Sequence, residues 1–154
     1  MKFRSLIILA VIPMVLLFQG CSGRIENVSS QSPYSELMGK KFILQQDFFI
    51  FNFLDDQQRK LVGNSSRCSA LPKEVSSQFI GKRFNSVVIV GIVPKGLAFT
   101  VVRLQVERTI ESSYRDVMAS FEAPSLRGQI FDVTFLTKEK KPPEFLDSLA
   151  KPSE

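Results

Sequence analysis

The stretches Asp47 to Leu54, Asn85 to Val93 and Leu97 to Ile110 are crowded with Phe, Ile, Val and Leu, side chains that suit a pleated strand better than a helix. Between the last two, Val93-Pro94-Lys95-Gly96 presets proline at the second place of a β-turn, and a hairpin is expected. In its second arm Leu97, Phe99 and Val101 share one face, whereas Val102, Leu104 and Val106 take the opposite parity. A change of phase within one strand predicts a bulge or sharp bend near Val101 and Val102. In the first stretch Phe49, Phe51 and Phe53 fall on one face and Phe48, Ile50 and Leu54 on the other. A strand apolar on both faces is either covered on both sides or docked onto a partner.

Shorter strands are expected at Lys41 to Gln45 and Lys60 to Val62, separated from the Phe-rich stretch by polar turns such as Asp55-Asp56-Gln57-Gln58. A second hairpin joins Ser113 to Ala123 with Gln129 to Thr137, facing Phe131, Val133 and Phe135 inward and Asp132 and Thr134 outward. One short helix is expected over Leu71 to Gly81, with Pro72 in its first turn, Val75 and Phe79 four apart on one face, and Gly81 at its end. The fold class is therefore mainly β: a small bent antiparallel sheet or an SH3-like, partly open barrel with one short helix. The SH3 likeness covers residues 37–137 and is a resemblance in strand size and bend.

The start of the chain carries an address. Lys2 and Arg4 precede an apolar run from Leu6 to Phe18, closed by Gln19-Gly20-Cys21-Ser22. The run is interrupted by Pro13 and is shorter than the roughly 20 residues a membrane-crossing helix needs. The order of basic end, short apolar core and small residue is that of a secretory signal. With Gly20 just before Cys21, the segment resembles the signal peptide of a bacterial lipoprotein, although Leu17 lies four places before the cysteine and Phe18 stands third. The resemblance implies that residues 1–20 are removed and that Cys21 is lipidated as the first mature residue. Ser22, which is not Asp, implies onward transport to an outer membrane, with the domain facing the periplasm. The alternative is cleavage by the ordinary signal peptidase, leaving Cys21 a thiol.

About 130 residues then remain, enough for one domain with a real core. Residues 21–36 are polar, rich in Ser and Asn, and read as a tether; residues 37–137 form the β domain. Residues 138–154, charged and proline-containing, read as a tail. Loss of Lys2 and Arg4 lowers the formal charge from +5 to about +3. Lys40-Lys41, Lys82-Arg83 and Lys138 with Lys140-Lys141 are scattered pairs, not the basic stripe of a nucleic-acid binder. Only Cys21 and Cys68 are present; lipidation of Cys21 leaves Cys68 alone, and its absence would allow the two to pair.

The chain has no histidine, which removes the commonest general base, the commonest metal ligand and the Ser-His and Cys-His nucleophile arrangements together. No phosphate-binding glycine loop and no CxxC occur, so no cofactor and no metal are expected. Asp55 and Asp56 are adjacent carboxylates on a turn, the only basis for a carboxylate-dependent hydrolase. The expectation is a non-enzymatic, lipid-anchored envelope protein whose β domain holds a protein partner, an immunity or inhibitor lipoprotein being one version. A cell-wall glycan-binding module is the alternative. Candidate partner-binding residues are Phe48, Phe53 and Phe84, from segments with more apolar residues than one face can bury, and Tyr34 and Tyr114.

Overall fold

The computed structural model describes residues 24–108, 113–138, 140 and 142–153, with the Tyr114 side chain outside that description. Residues 1–20, where a signal segment is expected, and Cys21 therefore lie outside the described residues. The strands are β1 (Arg24–Asn27), β2 (Lys41–Leu44), β3 (Phe48–Phe53), β4 (Leu61–Gly63), β5 (Arg83–Phe84) and β6 (Val87–Val93), followed by β7 (Ala98–Arg108), β8 (Ser113–Phe121), β9 (Phe131–Asp132), β10 (Thr137–Lys138), β11 (Glu144–Phe145) and β12 (Ala150–Pro152). One sheet runs β12-β2-β7-β8-β9-β4-β3-β6-β5, with β1 added to β7, and β10 and β11 form a separate ribbon. The fold is mainly β, and the sheet is bent but not closed into a barrel.

The bend lies where the sequence pointed to a hairpin. β6 and β7 do not pair with each other; β6 pairs with β3, and β7 with β2. Their register is continuous, from Lys41 opposite Thr100 and Ile43 opposite Ala98 to Phe48 opposite Val93 and Ile50 opposite Gly91. Two long strands thus turn one corner side by side. Asp47 Oδ1 accepts from the Lys95 amide at 2.7 Å, Gly96 N donates to the Leu44 carbonyl at 2.9 Å, and Gly96 takes a φ of +83° that favours glycine. The expected hairpin fails because the Pro94 turn bends the chain onward instead of reversing it. The true long hairpin is β7 with β8, and its register shifts between Val101 and Arg103, where the apolar phase changes.

β3 is covered on both faces. Phe48 and Ile50 enter the larger core with Phe42, Phe99, Phe121, Phe131 and Phe145, and Phe49 and Phe51 enter a smaller one with Leu61, Cys68, Leu71, Val87 and Ile89. Each fully buried Phe contributes on the order of 1.5–3 kcal/mol by area removed from water. Residues 64–82 lid the smaller core. The helix expected over Leu71 to Gly81 is only a 3-10 turn at Ser77–Phe79. Ser76 and Ser77 compete for backbone hydrogen bonds, and the segment gains more by laying Leu71, Val75 and Phe79 over the lower face than by winding.

Residues 24–27 and 150–152, from the segments on either side of 37–137, belong to the sheet. In the stretch read as a tether, Ile25 pairs with Glu107 and Val28 is buried in the larger core. An edge strand needs few apolar side chains, so composition hides it. In the stretch read as a tail, Phe145 packs against Phe42 with ring centres 4.1 Å apart and planes tilted by 40°, and Ala150 pairs with Leu44 through β12. Three apolar residues, Phe145, Leu149 and Ala150, hold it there despite the surrounding charge.

Candidate functional site

A cleft of about 760 Å³ opens where the sheet splits between β8 and β4, its rim completed by the β10–β11 ribbon. Arg59, Arg67, Arg115, Lys138 and Lys140 line it together with Asp56, Glu107, Asp116 and Asp132, and Phe53 and Phe135 line its apolar wall.

Asp132 is the centre of its structure. It ends β9, has no exposed surface, and accepts hydrogen bonds from Arg59 through Nε at 2.7 Å and through Nη2. Its other oxygen accepts from the Thr134 amide at 2.9 Å and from the Thr134 hydroxyl. Thr134 Oγ1 in turn accepts from Val117 N at 2.9 Å, so a charge-assisted network joins the β3–β4 connection, β8 and β9. Alternation along Gln129 to Thr137 places Asp132 outward; it is buried because this end of the sheet has protein on both faces.

Arg59 Nη2 also reaches Asp116 Oδ1 at 2.6 Å, so two carboxylates share one guanidinium. Burial raises the Asp116 carboxyl above its ordinary range, with the Asp132 charge adding to the effect and Arg59 opposing it. For Arg59, burial lowers the proton affinity, but the two carboxylates outweigh it and the pKa is raised. Asp116 is thus held toward its protonated form by burial, and Arg59 is fixed as a cation.

Arg67, Arg115 and Lys138 add positive charge to the lining beside Glu107 and Asp56. Arg67 Nε donates to the Phe135 carbonyl at 3.0 Å and its Nη2 to the Thr137 carbonyl at 2.8 Å, pinning the Cys68 loop to the chain after β9. Lys138 stands 4.0 Å from Glu144, which is also paired to Lys140. The Nε of Arg115 is buried without a hydrogen-bond partner. Among the described residues no three His, Cys, Asp or Glu side chains converge as metal ligands.

The expected site residues are dispersed. Phe48 is wholly buried in the larger core and cannot meet a partner. Phe84 is half-buried against Phe79, edge to face at 5.3 Å, and Tyr34 is half-buried against the larger core. Phe53 alone of these lines the cleft. The Tyr114 side chain and Cys21 lie outside the described residues. Asp55 and Asp56 are exposed, and Asp56 Oδ1 accepts from the Arg59 amide at 3.2 Å, a turn-capping role. Cys68 is buried in the smaller core and is a free thiol among the described residues.

Arg59, Arg115, Asp116 and Asp132 were not singled out by the sequence. Arg59 and Asp132 are 73 residues apart, and no local spacing announces their pairing. A second cavity, about 690 Å³, is lined by Leu37, Phe42 and Phe145 together with Lys40, Lys41 and Glu144. In comparison with known proteins, no family model, no curated protein and no solved structure matches the chain.

Proposed function

We propose that the chain is a lipid-anchored envelope protein whose β domain binds a protein partner without catalysing a reaction. The reading rests on one relationship between sequence and fold: only Ser22 and Gly23 separate Cys21 from β1. Three extended residues reach about 10 Å, so a lipid on Cys21 would hold the domain close against the bilayer. Arg24 pairs with Arg108, and Arg108 pairs with Ser113 of the cleft rim. Two strand spacings, about 10 Å, therefore separate β1's first residue from that rim. Attachment and cleft share one end of the sheet, an arrangement suited to meeting a partner at the membrane surface.

Crosslinking in intact cells, followed by mass spectrometry, tests this reading: it expects an acylated Cys21 peptide and one specific protein neighbour. An unmodified Cys21 or the absence of any specific neighbour would defeat it. The immunity or inhibitor version further requires that cells lacking the protein become sensitive to a toxin delivered to the periplasm.

Cell-wall glycan binding is the second reading, favoured by Phe53 and Phe135 lying half-buried beside polar groups in the cleft. Binding to purified sacculi, lost on Phe53→Ala, would support it.

A further inference from the structure

The cleft runs along an unpaired strand edge. β9 meets β8 only at Met118 and Ala119, and among the described residues no strand lies opposite Ser113–Asp116 on that side. The direction of the free groups follows from Val117, whose N–H bonds Thr134 Oγ1 and whose carbonyl accepts from Val133 N at 2.8 Å, both away from β7. Its cross-strand neighbour Leu104 likewise turns its N–H and carbonyl away from β8, to Ser29 and Val28. Strand alternation gives Arg115 and Ser113 the same sense as Val117, so their main-chain donors and acceptors face the cleft. An exposed edge of this kind templates an added strand.

The side chains around the edge define what could be added. Arg115 has no ion pair among the described residues and an unsatisfied buried Nε, Arg67 meets only carbonyls, and Lys138 shares Glu144 with Lys140 at long range. The nearest carboxylates, Asp116 and Asp132, are engaged by Arg59, leaving Glu107 and Asp56 at the rim. We propose that the β8 edge at Ser113–Asp116 takes up an extended acidic segment of a partner protein as an added strand, its carboxylates meeting Arg115 and Lys138. The inference rests on the protein-binding reading above and names the surface and the ligand class.

The test uses the full chain in detergent and three fluorescent probes: an alternating Glu-Val octapeptide, the same peptide N-methylated at alternate residues, and an alternating Lys-Val octapeptide. The Glu-Val peptide should bind and slow hydrogen exchange at the Arg115 amide, while the other two bind at least about tenfold more weakly. Arg115→Gln and Lys138→Gln should each weaken the Glu-Val peptide by about tenfold, and Lys95→Gln, at the distant corner, should not. No binding, equal binding of the methylated or basic peptide, or binding without protection at Arg115 overturns the edge site. A specific neighbour crosslinked in cells through another face would then leave the anchored, protein-binding reading standing.

Discussion

The guanidinium of Arg59 makes two hydrogen bonds to the wholly buried carboxylate of Asp132, 73 residues further along the chain. Removing the cation strands a buried charge. Arg59→Met should cost about 3–5 kcal/mol in urea unfolding, and Arg59→Met combined with Asp132→Asn should cost less than the two single changes added. Strict additivity would mean that the two side chains do not depend on one another.

Asp116 makes stability depend on pH. Its pKa is raised in the folded state, so its contribution to stability is fully present below the ordinary Asp value of about 3.9 and is lost as pH rises through the raised value. Asp116→Asn, which cannot ionise, should therefore gain thermal stability relative to the parent as pH rises from about 3 to 7. Melting curves across that range check the sign; a relative loss would mean that the Arg59 pairing outweighs burial.

Phe145 makes the C-terminal segment part of the core. Phe145→Ala should cost about 3–5 kcal/mol, because the ring lies against both Phe42 and Phe99. Urea denaturation measures it, and an unchanged midpoint would return residues 138–154 to the status of a tail.

That segment also shows how much was legible. β3 with both faces apolar, the register shift between Val101 and Arg103 and the mainly β class follow from local pattern, since alternation reports which face of a strand is buried. Strand partners do not follow from it: Pro94-Lys95-Gly96 is compatible with a reversal or a corner, and only the need to cover β3 with β6 decides. Segments that join by a few residues, Val28 on one side and Phe145 on the other, disappear in composition. The candidate site was least legible. Arg59, Asp116 and Asp132 come together only through sheet topology, while Phe48 was drawn to the core by the same hydrophobicity that made it look like a binding residue.

Gly63 ends β4, packed against Phe135 and Phe51. A Cβ there would stand 3.3 Å from Phe135 Cβ and 3.4 Å from Phe51 Cε1, so Gly63→Ala should destabilise by about 1–3 kcal/mol. Gly63→Ala with Phe135→Leu should recover part of the loss, as read by thermal unfolding.

Cys68 should stay unreactive toward a small alkylating agent in the folded protein, since it is buried and unpaired, and should be labelled on the timescale of global unfolding. Rapid labelling in native buffer would show that the loop between Asn64 and Leu71 opens by itself.

An anchored domain that presents its cleft to a protein at the membrane should be captured by that protein from the cleft side alone. Site-specific photocrosslinking from Lys138 and from Gln78 in intact cells, with mass spectrometry of the Cys21 peptide in the same sample, tests it most directly. The account predicts an acylated Cys21 and one protein captured from Lys138 but not from Gln78. An unmodified Cys21, or equal capture from both positions, would contradict it.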